Sequence, residues 1–299
     1  MTLMLIDSAS LWYRAYYGMP DTFFAEDGTP VNAVRGFVDS LARLISHYQP
    51  DRLIACIEGD WRPQWRIDLF PGYKANRVED EGDEEEPETL TPQIPIILEI
   101  LDELGIPVVG ADDYEADDVI ATYSKKEKGP IRIVTGDRDL FQLVDAKKDV
   151  KVVYLAKGIT NHDLVDGSYI ENRYAIPGER YALFAMLRGD PSDGLPGVKG
   201  IGEKGAAAIV RIFSSVEEIL KAAKDGHPDL SSSHAKKIVA DRKYLEIAPK
   251  LVHCALDVPL PRIEHRLPTA PDDLSRIYQL KERYGIGAPL DRLISALRW

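Results

Sequence analysis

Five short, almost wholly apolar runs punctuate the first 160 residues: Leu3 to Ile6, Leu53 to Ile57, Pro107 to Val109, Ile131 to Val134 and Val150 to Leu155. Between them lie stretches with apolar residues at helical spacing, such as Val34 to Tyr48 and Ile94 to Leu104. A strand that is apolar on both sides must be covered on both sides, and a helix between two such strands supplies both the cover and a parallel crossover. The pattern therefore predicts an α/β fold over residues 1–165, a mostly parallel central sheet flanked by helices. Beyond residue 165 the strand signal fades. Helices are expected at 168–174, 178–187, 203–212, 216–224 and 233–244, then a terminal pair near 273–284 and 290–297, so residues 166–299 read as a helical second region. No repeat of solenoid length is visible.

With 299 residues, 44% of them hydrophobic, the chain can bury a sizeable core. Its start has no basic segment ahead of the short apolar run, and no apolar stretch approaches the ~18 to 20 residues of a membrane span. A cytoplasmic protein with no membrane partner, a monomer, is expected. Cys56 and Cys254 form neither a metal spacing nor a disulfide framework.

The net charge of -12 argues at first against nucleic acid. Its distribution reverses the argument. Residues 79–88 hold eight acids and no base, and nine further carboxylates are candidate metal ligands; setting both groups aside leaves a remainder of +5. Like charges as dense as those of 79–88 repel, which predicts a mobile loop there.

In open parallel sheets, reactive groups gather where the chain leaves the carboxyl ends of the strands. Asp7 ends the first strand, Glu58 and Asp60 follow the second, Glu115, Asp117 and Asp118 open the helix after the third, and Asp137 and Asp139 follow the fourth. Capping and turn formation could account for each cluster alone. They do not account for four strand ends aiming carboxylates at one sheet edge, where uncompensated charges would repel strongly. Hard divalent cations resolve the conflict, since Mg2+ and Mn2+ prefer carboxylate oxygens, while the absence of His and Cys argues against zinc. Two such ions can clamp a phosphodiester and activate water.

Two further segments point to nucleic acid. In residues 188–210, Asp190 and Asp193 precede a glycine-rich turn that includes Gly197, Gly200 and Gly202 and leads into a helix, with Lys199 and Lys204 flanking it. Glycine lets backbone N–H groups approach phosphate closely, so a helix-turn-helix gripping a sugar-phosphate backbone is expected, the plain alternative being a flexible loop. In residues 61–77, Arg66, Lys74 and Arg77 alternate with aromatic residues including Tyr73, a mixture suited to phosphate contact and base stacking. Arg14 sits among Trp12, Tyr13, Tyr16 and Tyr17, which could face either the core or a DNA end.

Taken in order, LMLIDSASLWYRAYY, LFPGYKANR, YEADDVIATYS, IVTGDRDLFQLV and GDPSDGLPGVKGIGEKGAA resemble the 5'-nuclease family of bacteriophage flap endonucleases and the nuclease domain of bacterial DNA polymerase I. The resemblance implies a PIN-like core with an arch near 74–105 and a helix-three-turn-helix near 181–213. It implies metal-dependent cleavage of branched or nicked duplex DNA at a 5' flap or 5' end, with two or three ions per site, in replication and repair. By position, Asp7, Glu115, Asp117, Asp118, Asp137, Asp139, Asp190 and Asp193 resemble the metal-binding set. Asp7, Asp118 and Asp137, with Lys74 and Arg77 at the arch base, take catalytic roles. Arg14, Arg66 and Tyr73 join the basic pair and the glycine-rich turn as DNA contacts, and the Val198 and Ile201 carbonyls match those that hold a K+ ion. The second-strand site departs from the family spacing, so either Glu58 or Asp60 could fill it; Asp60 is slightly preferred. The chain reads as a free-standing, nucleoid-associated enzyme. The alternatives are a non-catalytic DNA-binding protein and an RNA-directed nuclease of related fold.

Overall fold

The computed structural model describes residues 1–78 and 86–299. Most of the acidic run, 79–85, lies outside the described residues, and with it the expectation of a mobile loop. Six strands form one sheet: β1 (Leu3–Asp7), β2 (Arg52–Cys56), β3 (Val108–Val109), β4 (Ile131–Thr135), β5 (Val150–Tyr154) and β6 (Asp163–Val165). Their spatial order is β3-β2-β1-β4-β5-β6, all parallel except β6, which pairs antiparallel with β5. The edge strand β6 gave no signal because its three residues include an aspartate and one apolar face is all an edge position needs.

Strand residues alternate between two cores. Leu3, Leu5, Ile54, Cys56, Ile131, Ile133, Val150 and Val152 face one side, whereas Met4, Ile6, Leu53, Ala55, Val134 and Val153 face the other. The second side is covered by α1 (Ser8–Gly18), α2 (Asn32–Tyr48) and α4 (Gln93–Glu103), with the short α3 (Gln64–Leu69) between them in sequence. The first side is covered by α5 (Ala116–Lys126) and the helical region: α6 (Gly167–Tyr174), α7 (Tyr181–Arg188), α8 (Glu203–Val210), α9 (Val216–Asp225), α10 (Ser232–Ala240) and α11 (Arg242–Val252). The helical region therefore shares a continuous core with one face of the sheet.

Three sequence expectations need correction. The single helix at 233–244 is two, α10 and α11, which meet at Asp241. Residues 93–105 are not arch: α4 buries Ile96, Ile97, Ile100 and Leu101, a stripe at helical spacing that can only be a packed face. The region 166–299 is not one spatial unit either, because α12 (Leu274–Arg283) and α13 (Gly287–Leu297) leave it and return to α4 and α2 on the far face. The return is apolar: Ile277, Leu280, Leu290, Leu293 and Leu297 are all buried there.

The last helix should thus stabilise the α/β core without touching the chemistry. Leu293 is fully buried; Leu293→Ala is expected to cost about 2–5 kcal/mol of unfolding free energy. Denaturant titration measures this, and a change below ~1 kcal/mol would mean that α13 docks loosely.

Candidate active site

Strand order decides where the acids meet. β1 lies between β2 and β4, so the crossovers diverge on either side of it and leave a crevice beyond its carboxyl end. Asp7, the last residue of β1, sits at that point, 5% exposed. Its Oδ1 accepts the Ser10 N–H at 3.1 Å, capping α1, and its Oδ2 accepts the Thr135 hydroxyl at 2.6 Å. Capping and site membership thus coincide in one side chain. Thr135 Oγ1 also accepts the Asp137 N–H at 2.8 Å, and Asp137 Oδ1 accepts the Asp139 N–H at 2.8 Å. A ladder of hydrogen bonds therefore runs from β1 through β4 into the loop that carries Asp137 and Asp139. The sequence reading missed Thr135, although its place just before Gly136-Asp137 marks a strand end.

The second strand settles differently from the preference for Asp60. Asp60 Oδ1 turns back to the Arg62 N–H at 2.9 Å, a local turn bond. Glu58 instead reaches the start of α5, its Oε2 accepting the Ala116 N–H at 2.6 Å. Enclosure by protein, with the charges of Glu115 and Asp7 adding to it, pushes its carboxyl up to about 8. Of the two acids, Glu58 is the one that faces the others.

The remaining rim acids are perturbed in the same sense. Asp117 is held well above the usual carboxylate range by burial and by the charges of Asp137, Asp7, Glu58 and Glu115. Asp139 is likewise raised by burial and by Asp137, Asp193 and Asp190, and its buried Oδ1 has no hydrogen-bond partner among the described residues. Burial raises Asp137 too, despite the Asp139 N–H that it accepts. Asp193 rises to about 6, burial and the neighbouring acids outweighing Lys74 and Arg77. Asp190 is 6% exposed and bonds the Ser192 N–H at 2.9 Å, closing the turn that carries Asp193.

Another set of acids is neutralised inside the protein. Arg66, on α3, is 3% exposed and grips Asp118 with two bonds of 2.8 Å while reaching Glu115 at 3.0 Å. Lys74 donates to Glu115 and to the Trp61 carbonyl, and the Tyr73 hydroxyl donates to Glu115 at 2.7 Å. Asp118 is fully buried, and it also accepts the Ala255 N–H at 2.7 Å, tying the segment after α11 to α5. Three expectations change accordingly. Arg66 and Tyr73, expected as DNA contacts, are instead buried, with both Arg66 Nη atoms and the Tyr73 hydroxyl committed to carboxylates. Asp118, with both oxygens taken, is a structural acid in this arrangement. Lys74, 6% exposed, sits among the acids and not on an arch surface.

Arg77 remains nearer the surface and donates to Asp193 Oδ1 at 2.7 Å and to the Ser192 carbonyl at 3.2 Å. The Lys74 N–H meets the Asp193 carbonyl at 2.9 Å. The two chain segments approach so closely that a Cβ at Gly194 would lie 2.3 Å from the Gly72 carbonyl oxygen; with φ at +68°, only glycine fits. The helical region's acids are thereby latched to the segment that carries Lys74 and Arg77.

The glycine-rich connection between α7 and α8 exposes Lys199, Gly200 and Gly202, and the first turn of α8 exposes Lys204. Gly197 departs from its expected role. It is buried, and a Cβ there would meet the Gly189 nitrogen at 2.4 Å, so its closeness is to the protein's own backbone and not to a phosphate. The Lys199 N–H is taken by Asp241 at 2.6 Å. Val198 O accepts the Ile201 N–H at 2.9 Å, and the Lys237 ammonium donates to the neighbouring Gly200 carbonyl at 2.8 Å. Arg14, half-buried on α1, has a buried Nε with no hydrogen-bond partner among the described residues.

Among the described residues no three acid, His or Cys side chains close into a cage able to grip one ion as they stand. What they form is a ring of partly exposed acids, Glu58, Asp117, Asp137, Asp139 and Asp193, each within electrostatic reach of others. An all-oxygen donor set, mutual repulsion and an orphaned Asp139 oxygen fit hard divalent cations.

Residues 2–175 match the family described as 5'-3' exonuclease, N-terminal resolvase-like domain, and residues 176–274 match its C-terminal SAM fold. The chain belongs to the 5'-3' exonuclease family. It is 48% identical to a 5'-3' exonuclease of Streptomyces coelicolor, covering 98% of this chain and 99% of that one. Identity to a DNA polymerase I of Mycobacterium bovis is 33% over 99% of this chain but 32% of the polymerase. The fold matches that of the bacteriophage T5 D15 protein co-crystallised with metal ions: TM-score 0.65 and 20% identity, covering 100% of this chain and 98% of the T5 chain.

Two outcomes follow for the folded protein. Carboxyls raised above their unfolded values leave the native state holding more protons than the unfolded chain, so stability falls as pH rises from the ordinary carboxylate range through about 6 for Asp193 and about 8 for Glu58. Melting temperature in EDTA is expected to drop between about pH 5 and about pH 8.5 and to recover with Mg2+ most at the higher pH; a profile flat in pH and indifferent to Mg2+ contradicts the repulsion. Separately, Arg66→Met strands buried Asp118 and Glu115 and should cost about 3–5 kcal/mol, visible as a lowered denaturation midpoint even in variants that still bind DNA.

Proposed function

We propose that this protein is a structure-specific 5'-nuclease that hydrolyses phosphodiesters of branched or nicked duplex DNA, as flap endonuclease and 5'-3' exonuclease, in replication and repair. The observation that carries this reading is the ring of mutually repelling carboxylates at the carboxyl end of β1 and β4. Family membership supports it, as does the T5 D15 flap endonuclease, similar in fold with a TM-score of 0.63 at 18% identity, whose structure contains DNA and metal ions.

Glu58, Asp117, Asp137, Asp139 and Asp193 would hold two or three Mg2+ or Mn2+ ions, with Asp7 and Asp190 behind them. Such ions lower the barrier by activating water and neutralising charge on the phosphate. The protein's own groups do the rest. Thr135 orients Asp7 and the Asp137 loop, Glu115 and Lys74 keep a compensated floor under the ring, and Arg77 stands at its edge beside Asp193. The α/β unit through about residue 165 supplies most of the acids. The exposed Lys199, Gly200 and Gly202 of the α7–α8 connection, with Lys204 in the first turn of α8, would grip the uncleaved duplex at its backbone. A K+ ion on the Val198 and Ile201 carbonyls would strengthen that grip, and the Lys237 ammonium already brings positive charge to the same turn. We place the protein in the cytoplasm as a monomer acting on nucleoid DNA; no described helix is long and apolar enough to cross a membrane.

The test is cleavage of a 5'-flap duplex with and without Mg2+ or Mn2+. The wild type is expected to cut near the junction only with metal, while Asp137→Asn and Asp117→Asn fold normally and lose at least ~100-fold in rate, about 2.7 kcal/mol of barrier. Full activity in both variants rules out the carboxylate ring as the catalytic centre.

A further inference from the structure

The helix α11 has the glycine-rich connection at one end and the acid ring at the other. At its start, Asp241 accepts the Lys199 N–H at 2.6 Å. Along its length the Tyr244 hydroxyl donates to the Met186 carbonyl at 3.2 Å, and Leu245, Ala248 and Leu251 are buried in the core shared with the sheet. Eleven residues of helix advance the chain by about 16 Å.

At the far end the chain is received by one side chain. Gln142, on the short helical turn Asp139–Leu143, donates its Nε2 to the Val252 carbonyl at 3.0 Å, while its Oε1 accepts the Cys254 N–H at 3.2 Å. The same Nε2 donates to the Asp139 carbonyl at 2.9 Å. Both amide hydrogens and the amide oxygen are thus used, and all three partners are backbone groups. The next residues are fastened by α5: Asp118 accepts the Ala255 N–H, and the Thr122 hydroxyl donates to the Ala255 carbonyl at 3.1 Å and accepts the Val258 N–H at 3.2 Å.

Docking of α11 needs only the bonds to Val252 and Cys254. The third, to the Asp139 carbonyl, adds nothing to docking and reaches a ring acid directly. Asp139 depends on such support, because its buried Oδ1 has no hydrogen-bond partner among the described residues and the aim of its carboxylate follows from how its backbone is held. That backbone is held at both poles, the N–H by Asp137 Oδ1 at 2.8 Å and the carbonyl by Gln142.

We infer that Gln142 is a positioning residue for metal uptake at the ring: it fixes Asp139 to the end of α11 and, through that helix, to the turn that grips the duplex. The inference rests on the nuclease reading. A group that orients a ligand without touching the ion is commonly worth tenfold or more in metal affinity or rate.

Two variants separate the bonds. Gln142→Met keeps the length of the side chain and removes all three. Gln142→Glu keeps an oxygen for the Cys254 N–H, so one docking bond and the fold survive, but when ionised it offers no hydrogen to the Asp139 carbonyl. Mn2+ binding without DNA is followed by electron paramagnetic resonance, and cleavage of a 5'-flap duplex under single-turnover conditions at saturating DNA. Both variants should need about tenfold to a hundredfold more Mn2+ for half-saturation and cut about tenfold to a hundredfold more slowly, with DNA affinity in EDTA unchanged. The charge added by Gln142→Glu would by itself tighten Mn2+ binding, so weaker binding there reports the lost bond. Leu293→Ala is the control for lost stability, expected to unfold more readily yet bind Mn2+ as the wild type does. Variants at Gln142 that unfold more readily but match the wild type in Mn2+ half-saturation make the residue a structural link only and overturn the inference. A wild type that neither binds Mn2+ nor cuts flap DNA overturns the nuclease reading and this assignment with it.

Discussion

Arg66 approaches Glu115 and Asp118 from a side chain 3% exposed to solvent, and Lys74 joins Glu115 from a position hardly more open. Around these two cations the acids separate into tiers. Glu115 and Asp118 are balanced within the protein, so α5 can begin at the sheet edge without carrying uncompensated buried charge. Glu58, Asp117, Asp137 and Asp139 form no ion pair among the described residues and stand partly open to solvent. Without the inner tier the outer one could not be held together, because each further buried carboxylate would raise the cost of ionising its neighbours. The floor of the crevice is thus a solved electrostatic problem, and the rim is an unsolved one that positive charge from outside can resolve.

Much of this was legible in the sequence. Strands apolar at every position could lie only in a doubly covered parallel sheet, and a parallel sheet puts its functional groups beyond the strand carboxyl ends. That argument singles out Asp7, Asp117, Asp137 and Asp139, and leaves Glu58 beside a slightly preferred Asp60. What it could not see was commitment. Arg66, Tyr73 and Lys74 look like a basic, aromatic surface in the linear chain, yet each turns inward to a carboxylate 41 to 52 residues away. Ion-pair partners separated by that much chain leave no periodicity to read. The same limit hid α12 and α13, whose apolar stripes announce burial but not which face of the molecule will accept them.

The choice between Glu58 and Asp60 shows how small a difference spacing alone must resolve. Two residues apart, the acids leave the end of β2 on the same loop. Asp60 is short and finds the Arg62 N–H two residues on, the common turn bond of an aspartate. Glu58 has one more methylene and is drawn to the N-terminus of α5, where the free N–H groups of a first helical turn favour an anion. Side-chain length and a neighbouring helix, neither visible in a motif, decide which acid joins the ring.

The interlock between residues 72–77 and 190–194 joins the two halves of the site. Lys74 serves Glu115 with its ammonium and Asp193 with its backbone N–H, while Gly194 leaves room for nothing larger than hydrogen against Gly72. Asp193, supplied by the helical region, can therefore reach the ring only when the segment carrying Lys74 and Arg77 is seated. Shared apolar packing between that region and the sheet makes the alignment rigid. Coupling of this kind means that a duplex held by the α7–α8 connection and a phosphate held at the ring are placed by one body, so the distance from grip to cut is set by the fold and not by a linker.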